Sequence, residues 1–275
     1  MTTQTVRQRW RNEILALSFL WPSLAILIAL MIYPLVSVVR LSFYDSNLSR
    51  ETWIGLGNYV TLAKDPLFWS ALWNTVLFTI GSVVLHLAIG LSLALLLNSD
   101  INRRFRSLAR GILIVPWLLA PTVAGMIWVL MLAPFGVFNG LLATIGLTLP
   151  SASTAWLGDP STSLLSVTGM NVWRAFPFFM VMLLAGLQAI PAQLYEAAQI
   201  DGANLIKQFW YITLPELRTI IATIVLLDSI WTFRAFDPVF IMTGGEHNII
   251  ATEGYFVRTR SKTLYKPLTD RKSVV

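Results

Sequence analysis

Long apolar runs alternate with short polar segments along most of this chain. Five runs stand out, near residues 14–39, 71–97, 111–133, 164–190 and 219–242. Each can supply the roughly 20 helical residues needed to cross a hydrocarbon layer about 30 Å thick. The pattern predicts five transmembrane helices and an all-α, polytopic bundle. Pro22, Pro34, Pro116, Pro121 and Pro177 fall in or near these runs. In lipid, carbonyls freed by proline must find partners on neighbouring helices, which again points to a packed bundle. Between the fourth and fifth runs lies a polar island, residues 195–215 (YEAAQIDGANLIKQFWYITLP). It predicts two short helices joined at Gly202, where a glycine relaxes the turn. Pro215 is expected to close the second of them.

Composition sharpens the membrane reading. Hydrophobic residues make up 56% of the 275 positions and charged residues 12%, against about 25% charged in soluble domains. The net charge of +6 gathers in short segments between apolar runs, so a nucleic-acid surface is not indicated. Cysteine is absent, which excludes a cysteine-ligated metal. The first apolar run is too long for a cleaved signal peptide and reads as a retained span.

Lysine and arginine set the expected orientation. The N-terminal tail, the loop after the second run and the loop after the fourth carry nine between them, and the opposite loops carry three. The N-terminus and the island are thus expected in the cytoplasm, with Trp53, Trp69 and Trp156 as interfacial anchors on the other side. The layout is a tail at 1–13, a membrane domain at 14–242 that includes a cytoplasmic loop at 191–218, and an atypical basic tail at 243–275. That last segment holds six basic residues and breaks the charge bias of the rest.

Catalytic motifs are missing. There is no GxxxxGK[ST] phosphate loop, GxSxG, HExxH or CxxC, so no enzyme and no cofactor are expected. His86 reads as a tolerated polar residue in a packed helix. The other ionisable groups within the runs are Arg174, Asp228, Arg234 and Asp237, which in lipid must face the bundle interior or water. At the helical rise, Arg174 lies about 16 Å into the membrane and Asp228 about 14 Å from the opposite face. These two are expected to pair or to line a translocation path together, with Trp173, Trp231 and Phe233 as nearby aromatic candidates. Arg234 and Asp237 are expected to form a local pair three apart on one helix.

The island resembles the EAA loop of membrane subunits of binding-protein-dependent ABC importers. Glu196-Ala197-Ala198, Gly202, Ile212, Leu214 and Pro215 match each fixed position of that pattern at the right spacing. Trp173-Arg174-Ala175-Phe176-Pro177-Phe178-Phe179, Ala185-Gly186-Leu187-Gln188-Ala189-Ile190-Pro191, and Phe236-Asp237 with Thr243-Gly244-Gly245 are similar to the sugar and glycerol-3-phosphate (maltose-type) branch, and to its first permease subunit. The resemblance covers roughly residues 12–245. It implies a type I importer fold, a cytoplasmic ATPase dimer, a second homologous permease subunit, an extracytoplasmic solute-binding protein and a sugar-like substrate. By position, Glu196 becomes the charged contact to the ATPase, Ala197 and Ala198 allow close approach, Gly202 shapes the turn, and Asp201, which adds negative charge beside them, belongs to the same docking set. The family continues with one further span. Here Glu246-His247 replace its usual Gly-Pro and the sequence turns basic, which indicates a premature end or a reading-frame change between about Gly245 and Gly254. The competing reading, a stand-alone ion-coupled carrier, would show internal repeats and more midplane carboxylates.

Overall fold

The computed structural model describes residues 6–47, 50–99, 102–146 and 156–244. The basic tail, with its departure from the family pattern, lies outside them. The chain divides at Pro66 into two compact units.

In the first unit, helix α1 (Val6–Leu27) runs through a π-helical turn (Ile28–Ile32) into α2 (Tyr33–Leu41). Ser18–Leu41 is apolar enough to span, and none of its side chains is buried within the protein. An antiparallel hairpin follows, β1 (Tyr44–Asn47) and β2 (Arg50–Trp53), with Tyr44 opposite Trp53. Trp53 packs on Phe43 and Tyr44, and α3 (Gly57–Lys64) closes the unit.

The second unit holds the other spans. Helix α4 (Pro66–Asn98) is apolar on most of its circumference, yet it buries its small and polar residues. Ala71, Thr75, Ser82, His86, Gly90 and Ala94 recur at helical spacing on the inner face, while Leu77, Ile80, Val84 and Leu96 point outward. Lipid is as apolar as leucine, so packing between spans favours small residues that let backbones approach. Gly90 is the tightest point: a Cβ there would clash with Phe179 Cβ and sit 3.0 Å from the Met180 amide.

Helices α5 (Arg103–Leu113), α6 (Val115–Leu118) and α7 (Pro121–Met131) occupy the third apolar run. The sequence predicts one span here, with Pro116 and Pro121 as breaks within it. The chain is bent by 96° between Leu118 and Pro121. Pro121 disfavours helical torsions at the preceding residue, and Ala120 is extended, with φ −57° and ψ 139°. Helix α8 (Val137–Thr144) follows. Its neighbour Trp156 donates to Asn139 Oδ1 at 2.8 Å and packs edge-on against Phe138, so it is tied to α8.

Helix α9 (Pro160–Ala189) is the most deeply buried span. The island forms α10 (Ala192–Ile200), α11 (Leu205–Gln208) and a second π-helical turn (Phe209–Thr213) that runs straight into α12 (Leu214–Phe233). Pro215 therefore does not end a helix. A proline ring crowds the carbonyl four residues back, and a wider turn relieves it: Leu214 N–H bonds Phe209 O, five residues back. The same device precedes Pro34, where Tyr33 N–H bonds Ile28 O. After a second break at residues 234–236, α13 (Asp237–Thr243) packs on α7.

Two hydrophobic clusters hold this unit together. One joins Phe78, Ala124, Val167, Met170, Val239 and Met242. The other joins Ala94, Leu97, Phe179, Leu183, Leu217 and Ile224. Along α4, His86 falls between the two clusters, and along α9 so do Asn171 and Arg174. That layer is polar.

Candidate functional site

The two broken helices meet around a cavity of about 580 Å³, within the range of roughly 300–1,000 Å³ usual for small-molecule sites. Its walls include Leu119, Ala120 and Pro121 from the first break, and Arg234, Ala235 and Phe236 from the second. Irregular backbone at membrane depth survives only where protein buries it or where it lines a polar cavity. Proline chemistry at Pro121 and Pro238 thus places irregular backbone and a cavity in one location.

Arg174, Asp228 and Trp231 line this cavity, together with Asn171, Trp117 and Phe178. Trp117 stacks on Phe178 with centroids 5.9 Å apart and planes at 19°, and Phe178 meets Trp231 at 5.5 Å. These flat apolar faces suit the faces of sugar rings. Asn171 Nδ2 and Arg174 Nε are buried and have no hydrogen-bond partner among the described residues. Buried donors are seldom left unpaired without a reason, and here both belong to cavity-lining residues.

The expected Arg174–Asp228 ion pair is not formed. Asp228 is buried and turns to His86, with Oδ2 at 2.7 Å from Nδ1, while Thr232 Oγ1 donates to Oδ1 at 3.5 Å. Arg174 lies within electrostatic reach of Asp228 but has no carboxylate within 4.0 Å among the described residues. The reason is geometric. The small inner face of α4 brings His86 close enough to claim the carboxylate first.

Three other expectations need correction. Trp173 does not line the cavity; it packs against Trp128 in the first hydrophobic cluster. Phe233 is likewise outside the cavity wall and is 37% exposed. Arg234 and Asp237 do not share a helix, because α12 ends at Phe233 and α13 begins at Asp237. They form no ion pair within 4.0 Å, and both face the cavity. Sequence reasoning missed His86, Asn171, Trp117 and Phe178. Asn171 was the most accessible of these, since it lies one turn before Arg174 on the same face of α9. Among the described residues no cluster of His, Asp or Glu could hold a metal ion.

The island is a second site of different character. Helix α10 carries Glu196, Ala197 and Ala198, and ends in a paired backbone cap. Ala203 N–H bonds Ala198 O at 2.8 Å, and Gly202 N–H bonds Gln199 O at 3.0 Å. This is the Schellman arrangement, which needs a left-handed residue at its hinge, and Gly202 has φ 76°. Asn204 then caps α11 by accepting from Lys207 N–H at 2.9 Å. Gln208 Nε2 donates to Ala203 O at 2.9 Å, and Tyr195 Oη meets Thr213 Oγ1 at 3.0 Å. The knob is stiff, yet its outer surface is open: Glu196 and Asp201 are exposed, as are Ile200, Leu205 and Ile206. Asp201 sits at the C-terminus of α10, where the helix dipole disfavours negative charge. Stability of α10 does not account for it.

Comparison with known proteins supplies a third line. Residues 86–259 match the family described as binding-protein-dependent transport system inner membrane component. The chain is 33% identical to the trehalose/maltose transport system permease protein MalF of Thermococcus litoralis, over 88% of this chain and 81% of that one. It is 34% identical to the sulfoquinovosyl glycerol transport system permease protein SmoG of Agrobacterium fabrum, over 86% and 77%. It is 33% identical to the arabinooligosaccharides transport system permease protein AraP of Bacillus subtilis, over 82% and 70%. In fold it resembles a chain from the crystal structure of a bacterial ABC transporter involved in the import of the acidic polysaccharide alginate. The TM-score is 0.71 at 21% identity, and 95% of each chain is covered.

Proposed function

The chain belongs to the family of binding-protein-dependent transport system inner membrane components, and from that premise we propose that it is the first permease subunit of an ATP-driven importer for a sugar or related polyol phosphate. The observation that carries this reading is that the family match takes in both the cavity wall and the cytoplasmic knob. The named relatives carry sugars or sugar derivatives, and the aromatic ladder with its unpaired donors suits such a solute. A stand-alone ion-coupled carrier is set aside by the family.

In this reading the chain hydrolyses no nucleotide. Its knob seats in a cleft of a cytoplasmic ATPase dimer. Glu196 makes a charge-assisted contact there with Asp201 adding negative charge beside it, Ala197 and Ala198 permit close approach, and Gly202 holds the turn. A second, homologous permease completes the pathway, and an extracytoplasmic binding protein delivers the solute. The N-terminus and the knob face the cytoplasm. ATP-driven closure of the dimer moves the knobs together, and the broken helices reorganise around the cavity, where Arg174, Asp228 and Trp231 meet the solute. Purification of the tagged chain from native membranes tests the assembly. An ATPase and a related permease should accompany it, and reconstituted uptake should require ATP and the binding protein. Uptake driven by the chain alone would overturn the proposal.

A further inference from the structure

His86 is fully buried behind the cavity wall, and both of its ring nitrogens face acceptors. Nδ1 lies 2.7 Å from Asp228 Oδ2, and Nε2 lies 3.2 Å from the backbone carbonyl of Asn171. A carbonyl oxygen only accepts, and so does an ionised carboxylate. A neutral imidazole has one N–H and one lone pair. Placed beside an ionised Asp228, it would turn a lone pair toward the carboxylate or toward the carbonyl. Either arrangement opposes two acceptors in a site without solvent, where an unmet polar group is expensive.

Two arrangements avoid that conflict. In one, the imidazole donates at both nitrogens to an ionised carboxylate and the carbonyl. In the other, a protonated Asp228 donates to Nδ1 while Nε2–H donates to Asn171 O. Both hold two protons, and in both the pair is electrically neutral as a unit. We propose that His86 is a positioning residue for the cavity: with Asp228 it forms a neutral, two-proton pair, which fixes the Asp228 carboxyl against α4 and α9 and leaves Arg174 without a counter-ion.

The consequence is a change in the charge that a solute meets. Four charged side chains line the cavity, Arg174, Asp228, Arg234 and Asp237, and by formal count they cancel. With Asp228 neutralised from behind by His86, two cations face one anion. The guanidinium of Arg174, whose Nε has no hydrogen-bond partner among the described residues, then serves as a donor to electron-rich oxygens such as sugar hydroxyls. This consequence rests on the cavity being the solute path. The pair itself does not.

Spectroscopy on the full chain in lipid nanodiscs at pH 7 tests the pair independently of transport. The chain contains only two histidines, so His247→Gln with 15N-histidine labelling leaves the His86 ring as the sole signal. The expected result is protons on both ring nitrogens. One protonated nitrogen, together with a protonated-carboxyl infrared band that disappears in Asp228→Asn, also fulfils the proposal. One protonated nitrogen with no such band overturns it. Failure here would leave the transport assignment standing. Loss of ATP-dependent co-assembly would remove that assignment and leave the pair untouched.

Discussion

The cavity layer and the knob at residues 195–215 are two charged regions of the second unit, and they are built by opposite means. The knob is assembled from neighbours in sequence, by backbone caps at Ala198 and Gln199 and a side-chain cap at Asn204, and it leaves its acidic groups in the open. The cavity layer is assembled across the chain, from His86, Asn171 and Asp228 on three different helices, and it hides them. Function at the knob should therefore be separable from stability. At the cavity the two should fall together, because removing one member of a buried pair leaves the other uncompensated.

The largest loss is expected for Asp228→Ala, which strips His86 of its partner. Breaking a buried pair costs about 3–5 kcal/mol, read as a lower thermal midpoint of the chain in lipid, with uptake lost in parallel. A midpoint equal to wild type would make the cavity layer behave like the knob. Gly90→Ala comes next. Its Cβ must push α4 away from Phe179 and the Met180 amide, and overpacking of this kind costs about 1–3 kcal/mol. Uptake should decline in proportion to that loss.

At the knob the proportion should break down. Gly202→Val places a β-branched residue at φ 76°, a strain of about 1–2 kcal/mol. Nothing lies near enough for a clash, so the chain should still insert while ATP-driven uptake disappears. Glu196→Lys is the sharpest case. Glu196 is exposed, so the midpoint should stay where it is, and uptake should again disappear. If that variant transports normally, the knob is an ordinary loop and the contrast collapses.

The same contrast explains what the sequence revealed. The spans, the island and its glycine hinge were legible because apolar length and helix-capping signals are local. Pro215 misled because a proline's effect depends on what precedes it, and the π-helical turn at Phe209–Thr213 lets the helix pass through. The bend at Ala120 was signalled by Pro121, but its 96° angle was not. Arg174 and Asp228 were placed near the midplane by counting residues, and they do line one cavity. Their partners were out of reach. His86 lies 142 residues from Asp228, and no spacing rule connects residues on different helices. Trp173 was a candidate as an aromatic within a span, yet it and Arg174 are adjacent helix positions that face different directions, and its ring belongs to the core.

The docking of the knob is the claim on which transport depends, and the absence of native cysteine makes it directly measurable. Ala197→Cys puts a lone thiol on the exposed face of α10, where its reaction rate with a water-soluble maleimide can be followed in the chain alone and in the complete importer. The account predicts rapid labelling of the isolated chain and a drop of about tenfold or more on assembly, equivalent to roughly 1.4 kcal/mol of protection. Equal rates in the two samples would contradict it.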